Sequence, residues 1–252
     1  MLKRDDLIKY LDHYLSCGSI KDYCPNGLQV EGQSEVRKIV TSVSASEELF
    51  NKAVSLNADM VIVHHGILWE NRSPVIKGGL HKRISVLLEN RISLLGYHLP
   101  LDRHPIIGNN ILGAKGLGLV SIKPFGENHG ALIGYMGGFK KPVPAKDLFG
   151  RVNKLYGAKS QVFPYGPDMV KTIGIVSGGA ANMVSDAVKH NLDAYLTGEV
   201  TESIVQESKE ESIHFIAAGH YATERLGIRA LGKHIASKFK IAVEYIDVPV
   251  PV

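Results

Sequence analysis

Five side chains in this sequence have the types and the spacing of metal ligands. His64 and His65 are adjacent at the end of one apolar run, and Asp102 follows another. His220 and Glu224 are four residues apart, so a helical turn would place them on one face with Cβ atoms about 5–6 Å apart. Imidazole and carboxylate donors together suit zinc, iron, manganese and similar first-row ions. The histidines without a partner motif are interpreted as surface or core residues: His13, His81, His104, His129, His190, His214 and His234.

The number of these ligands favours two ions over one. A catalytic zinc ion typically has three protein ligands, and neighbouring strand residues point to opposite faces. His64 and His65 therefore cannot easily chelate one ion unless the strand has ended, which Gly66 allows, or unless each binds a different ion of a pair. Pro100 disfavours a continuous helix between His98 and Asp102. We therefore interpret Asp102 as the ligand and His98 as a proton carrier or a residue supporting the ligands.

The two adjacent histidines end a strand of a predicted β-α-β unit. Residues 60–63 are apolar without alternation, which is typical of a strand covered on both faces of a parallel sheet. Residues 38–43 form the preceding strand, and a capping box at 44–47 begins the helix between the two strands. The carboxyl ends of such strands are where open α/β sheets bind ligands. The polar stretch from Gly66 to Leu80 is interpreted either as a loop over that edge or as an ordinary connection between elements.

Helical and strand-like patterns alternate along the rest of the chain. This alternation predicts an α/β protein with mixed, mostly parallel sheets. The predicted helices are 5–15, 81–89, 145–155, 180–190, 200–210 and 223–238, and the further predicted strands are 92–95, 131–139, 171–177, 193–197, 213–217 and 241–246.

The chain also contains an internal repeat. Residues 39–59 align without gaps on residues 173–193 at an offset of 134. His98 and Asp102 align on His220 and Glu224 at an offset of 122, so the first copy has about twelve extra residues, largely in the 67–80 loop. We predict two similar halves, residues 1–124 and 125–252, which share one site related by a pseudo-twofold axis.

Composition sets the broad class. Hydrophobic residues make up 44% of the chain and charged residues 21%, which is ordinary for a globular protein. The net charge of +4 is too small to argue for nucleic-acid binding. Two cysteines without a CxxC motif, a charged amino terminus and no apolar run of membrane-spanning length predict a cytoplasmic protein. The Ser177-Gly178-Gly179 turn lacks the patterns of a phosphate-binding loop and is interpreted as an ordinary turn.

At these residues the sequence resembles the Nif-three-like family, also known as the GTP cyclohydrolase 1 type 2 homologues, in its short bacterial branch. The resemblance implies two intertwined α/β repeats, two divalent metal ions per subunit in the cleft between them, and a ring-shaped homohexamer. The family's ligand positions fall on His64, His65, Asp102, His220 and Glu224, with Glu224 bridging the ions. The matching stretches are 25–32, 63–66, 98–102, 108–110, 196–199 and 219–225.

Two functional hypotheses follow. The first is a metal-dependent hydrolase that acts on a nucleotide-like substrate through a metal-activated water. The second is a non-enzymatic, ring-forming interaction or regulatory protein whose metals are structural and whose partner is a protein or nucleic acid. Turnover that depends on the metal ligands distinguishes the first hypothesis from the second.

Overall fold

The computed structural model describes residues 1–251, which form two compact units. The first unit comprises Met1–Leu101 and Ile228–Pro249, and the second comprises Asp102–Gly227 with residues 250–251. The chain therefore leaves the first unit after Leu101 and returns to it at Ile228, so the units are intertwined along the chain. The predicted halves, 1–124 and 125–252, describe the sequence repeat rather than these units and stay a prediction.

The strands and helices alternate as the sequence patterns indicate. The strands are β1 Leu2–Lys3, β2 Gly27–Val30, β3 Glu35–Val36, β4 Lys38–Ser44, β5 Met60–His65, β6 Ser93–Gly96, β7 Val120–Asn128, β8 Ala131–Pro144, β9 Gln161–Pro164, β10 Met169–Ile175, β11 Ala194–Thr197, β12 His214–Ala217 and β13 Ala242–Tyr245. The helices are α1 Arg4–Tyr14, α2 Glu47–Ser55, α3 Gly78–Glu89, α4 Leu99–Arg103, α5 Asn109–Gly116, α6 Ala145–Tyr156, α7 Val184–Lys189, α8 Glu202–Glu210, α9 His220–Thr223 and α10 Arg225–Phe239.

The first unit is built on a five-stranded sheet in the order β13-β4-β5-β6-β2. The first four strands are parallel, and β2 pairs antiparallel with β6. The predicted capping box was wrong in its cap residue: Ser44 is the last residue of β4, and Ser46 caps α2 by accepting a hydrogen bond from the Leu49 N–H. That helix packs Leu49 and Phe50 against Val61 and Val63 of β5 in a buried apolar cluster. The packing fixes the strand that carries His64 and His65.

The second unit is built on a six-stranded sheet in the order β7-β8-β10-β11-β12-β9. Strands β10, β11 and β12 are parallel, and the remaining pairs are antiparallel. Leu148 and Val152 of α6 belong to the same buried cluster as Ile173 and Leu196 of the central strands. Because five of the nine pairings in the two larger sheets are parallel, the predicted class of α/β fold with mixed sheets is confirmed.

The predicted repeat has a geometric counterpart in the two units. Asp59 accepts hydrogen bonds from two successive backbone N–H groups at the start of β4, and Asp193 accepts the equivalent pair from β10. Asn57 and Asn191, also 134 residues apart, both have positive φ angles, of 53° and 50°. The parallel strands β4-β5-β6 are followed in their sheet by antiparallel β2, and the parallel strands β10-β11-β12 are followed by antiparallel β9. Residues 39–59 and 173–193 therefore fold into the same β-α-β arrangement.

Two strands of the second sheet were not expected from the sequence pattern. Strand β7 contains Pro124 and Gly126, which ordinarily interrupt strands, and β9 is only four residues long. Both lie at the edges of the sheet, where a proline without an N–H leaves no missing hydrogen bond to a neighbour. None of the helices in residues 1–251 is long and apolar enough to cross a membrane.

Candidate metal centre

Three imidazoles form a cluster in the first unit. His64 and His65 are the last residues of β5, and their ring centroids are 4.6 Å apart. The His98 ring lies 5.1 Å from that of His64 and 5.6 Å from that of His65. One nitrogen from each ring lies within 4.8 Å of the others. Although both residues belong to β5, the short distances show that their rings do not lie on opposite faces of the sheet, so the three rings form one cluster of candidate metal ligands.

Hydrogen bonds to the Nδ1 atoms hold the first two rings. The His64 Nδ1 lies 2.9 Å from the carbonyl oxygen of Tyr97, which can only accept, so Nδ1 carries the hydrogen and donates it. In the neutral ring the lone pair is then on Nε2, the atom that can bind a metal. The His65 Nδ1 lies 3.0 Å from the Ser44 hydroxyl on the neighbouring strand. Both contacts orient the Nε2 atoms of the two rings.

Asp22 holds the third ring. Its Oδ1 lies 2.7 Å from the His98 Nδ1 and also accepts from the Tyr23 N–H, while its Oδ2 accepts from the Asn26 amide and the Leu99 N–H. Burial alone would raise the pKa of this carboxyl, but these hydrogen bonds, led by that of His98, lower it below the usual value. Asp22 was missed by the sequence analysis because it lies 76 residues from His98 and no spacing rule relates them.

The predicted effect of Pro100 was wrong. Helix α4 runs from Leu99 to Arg103, with Pro100 at its second position and His98 immediately before it. A proline in the first helical turn loses no hydrogen bond, because the N–H groups there have no partner within the helix. Asp102 therefore belongs to a helical turn that starts directly after His98.

The carboxylate of Asp102 is positioned within the second unit. Its side chain is buried, and Oδ1 accepts from the Asn109 amide at 2.8 Å and the Ser177 hydroxyl at 2.9 Å. The Asn109 Oδ1 in turn accepts from the Gly227 N–H at 2.6 Å. These neighbours fix the orientation of the carboxylate, as supporting residues commonly do around metal-binding carboxylates.

His220 and Glu224 share a face, as their spacing predicts. His220 begins α9, and its Nε2 lies 3.2 Å from the Glu224 Oε2. Its Nδ1 lies 2.6 Å from the Glu199 Oε1, a contact that the ligand set predicted from the sequence did not include. Burial opposes protonation of His220, but Glu224 and then Glu199 outweigh it and raise the pKa of the imidazole to about 9. A metal binding to His220 would therefore displace a proton.

The Ser177-Gly178-Gly179 turn makes room for Glu224. Gly178 has a φ of +71°, and a Cβ at this position would collide with the Glu224 carboxylate. Its N–H donates to the Thr223 hydroxyl at 3.1 Å. The turn therefore packs against a predicted ligand.

An α/β fold of two similar units with histidine and carboxylate clusters defines a class of candidate metal-binding proteins. The chain belongs to the Duf34/NIF3 (NGG1p interacting factor 3) family, whose model matches residues 2–250. The resemblance inferred from the sequence is thereby confirmed.

Relatives match along the whole chain. A Haemophilus influenzae protein named GTP cyclohydrolase 1 type 2 homolog is 42% identical over 247 residues, which are 98% of each chain. The solved structure of ybgI, a protein of unknown function, superimposes with a TM-score of 0.95 at 40% identity and covers 100% of both chains. TTHA1606 from Thermus thermophilus gives a TM-score of 0.91 at 34% identity, again over 100% of both chains.

The structure therefore brings the predicted residues together in two groups. In the first unit His64 and His65 lie with His98, and in the second His220 lies beside Glu224, while Asp102 of the same unit is held by Asn109 and Ser177. The roles of the five residues as ligands, and of His98 as a proton carrier, stay predictions.

Proposed function

We propose that the protein binds two divalent metal ions through five side chains and uses them to hydrolyse a nucleotide-like substrate. The proposed ligands are His64, His65, Asp102, His220 and Glu224. The observation that carries the proposal is the histidine cluster of the first unit, in which one nitrogen of each of three rings lies within 4.8 Å of the others. Isolated buried histidines ordinarily hydrogen-bond to the protein, whereas converging imidazoles are typical of metal sites.

The donor set fits first-row divalent ions. The Nδ1–H of His64 donates to a carbonyl, so the ring offers a neutral Nε2, and Asp102 and Glu224 add carboxylate oxygens. Such mixed nitrogen and oxygen donors suit zinc, iron or manganese. Both carboxylates are buried, and hydrogen bonds from Asn109 and Ser177 orient that of Asp102 before an ion binds.

Bound ions of this kind would supply a water molecule that loses a proton near neutral pH. In this proposal His98 moves that proton. With Nδ1 held by Asp22, the His98 Nε2 is the nitrogen that accepts a proton from the reacting water and returns it to the leaving group. Asp22 keeps the ring in the tautomer and orientation that this exchange needs. The substrate class follows from the name of the relatives, GTP cyclohydrolase 1 type 2 homolog.

The test combines metal analysis with turnover. Protein purified without added metal is analysed for its elements and then assayed, metal-loaded, against GTP and a panel of nucleotides. We expect about two ions per chain, and loss of metal and of turnover by about 100-fold or more in His65→Ala. His81→Ala, at an exposed position of α3, is the matched control and should behave as the parent. Turnover that persists unchanged in His65→Ala would contradict the proposed mechanism.

A further inference from the structure

A pocket in the first unit opens beside the histidine cluster. It is formed by the segment between β5 and α3, residues 67–77, here called the pocket loop, together with the start of α3. Its volume is about 840 Å³, within the range of about 300–1,000 Å³ that is typical of small-molecule sites. Val75 and Ile76 line it and are 58% and 55% exposed. Apolar side chains that remain exposed in a concave site are typical of a surface that a ligand covers.

Trp69 joins the pocket to the histidines. Its ring lies edge-on to the His98 ring with centroids 5.2 Å apart, and 5.9 Å from the His65 ring. The first part of the loop is fixed, because the Ile67 N–H donates to the Gln29 amide oxygen and the Trp69 Nε1–H donates to the Gly66 carbonyl. A molecule in the pocket would therefore contact Trp69, and the Trp69 ring also contacts His98, the proposed proton carrier.

The charge of the pocket favours an anionic group. Arg72, Lys77 and Arg83 line it, against a single acidic residue, Glu70. The Arg83 guanidinium also donates to the backbone carbonyls of Gly79 and Ala45, which restrict its movement. Arginine in a fixed position pairs with phosphate oxygens by two parallel hydrogen bonds, and lysine adds a point charge. Phosphate is thus the group that this combination recognises best.

The pocket loop has no equivalent in the second unit. In the register of the strands, Met60 corresponds to Ala194 and Ser93 to His214, so the segment from β5 to β6 is 13 residues longer than the segment from β11 to β12. The second unit passes from Thr197 to the start of α8 at Glu202 with only four residues between them. Long loops without regular structure inside a compact unit commonly have a binding role.

We propose that the pocket loop binds the phosphate-bearing part of a nucleotide. Arg72, Lys77 and Arg83 pair with the phosphate oxygens, and Trp69 packs against the rest of the molecule. This inference rests on the proposed function, because it assigns the substrate of that site to one side of the histidine cluster. It makes Arg72 and Lys77 determinants of specificity for phosphorylated over unphosphorylated substrates.

The single tryptophan of the chain provides the readout. Its fluorescence is followed while GTP or guanosine is added to the protein as purified, and again after chelation, with N-acetyltryptophanamide as the control for light absorbed by the nucleotide. We expect saturable quenching by GTP and at least about tenfold weaker binding of guanosine. Arg72→Glu and Lys77→Glu should each weaken GTP binding by about tenfold, and the exposed Lys82→Glu, outside the pocket, should not.

Equal binding of GTP and guanosine, or charge reversals without effect, would overturn the inference. So would the absence of a saturable response in both fluorescence and titration calorimetry. The results also separate this inference from the proposed function. Saturable GTP binding by a protein that takes up no divalent ions when they are added, and that turns over no nucleotide, would support the pocket and contradict the hydrolase. Metal-dependent turnover whose KM is unchanged in Arg72→Glu and Lys77→Glu would keep the hydrolase and reject the pocket.

Discussion

At the scale of single residues, Asp22 is the side chain whose role is easiest to test. Its carboxylate accepts five hydrogen bonds, from His98, Tyr23, Asn26, Leu99 and, at 3.9 Å, the Cys24 thiol. Asp22→Asn keeps the shape but places an NH₂ group against donors. We expect the free energy of unfolding to fall by about 1–3 kcal/mol, measured by urea denaturation at neutral pH. Asp168→Asn, at an exposed turn position, is the control and should change it little.

The pKa of Asp22 should also affect how the free energy of unfolding decreases at acidic pH. The pKa of Asp22 is lowered in the folded state from an ordinary value of 3.8. The unfolded chain therefore binds the proton first, so Asp22 contributes stability that is fully present above the unfolded pKa and lost as the pH falls through the lower, folded pKa. We expect Asp22→Asn to lose less stability than the parent between about pH 5 and pH 2. An equal loss of stability in the two proteins over this pH range would contradict the lowered pKa of Asp22.

Local spacing decided which site residues the sequence could reveal. His64 and His65 are neighbours in one strand, and His220 and Glu224 occupy one helical turn, so their pairing follows from local geometry. Asp22 reaches His98 across 76 residues, and only the pairing of β2 with β6 and the loop before β2 bring them together. Contacts that depend on sheet assembly leave no periodic signal in the chain.

At the scale of elements, the turn after β10 supports the loop that carries Glu224. Gly178→Ala should lower the free energy of unfolding by at least about 1–2 kcal/mol, since a side chain is strained at φ +71°. The new Cβ would also displace the Glu224 carboxylate, so the metal content should fall. Gly179→Ala is the matched control, because its Cβ would lie 3.4 Å from the Glu199 Oε2, an acceptable contact. Thermal denaturation and elemental analysis of both variants test this.

The strands predicted most accurately are those that the internal sequence repeat also supports. Strands β4 and β10 follow from their apolar patterns, and the alignment between them is matched by equivalent hydrogen bonds to Asp59 and Asp193. The edge strands β7 and β9 were missed because β7 contains proline and glycine and β9 has only four residues. Each forms by pairing with a neighbouring strand, which its own sequence does not show. At Pro100 the sequence pattern argued against a helix that the structure contains. A proline is tolerated in the first helical turn, so its position decides whether it prevents a helix.

At the scale of the whole molecule, removing the proposed metal ions should destabilise the chain, because ions that bind only the folded state stabilise that state. Ions at 100 times their dissociation constant stabilise a folded protein by about 2.7 kcal/mol. We expect chelation to lower the thermal midpoint of the parent and of His81→Ala, and to have little effect on His65→Ala. Differential scanning calorimetry with and without chelator measures this.

Mass in solution, measured on the same samples by light scattering, distinguishes the two functional hypotheses. The family resemblance predicts six times the 27.5 kDa of one chain. Under the hydrolase hypothesis, chelation abolishes turnover of nucleotides, whether or not the hexamer dissociates. If chelation instead dissociates the hexamer and the metal-loaded protein turns over no nucleotide, the metals are structural and the protein is an interaction partner. A midpoint, mass and turnover that all survive chelation of every bound ion would contradict both hypotheses.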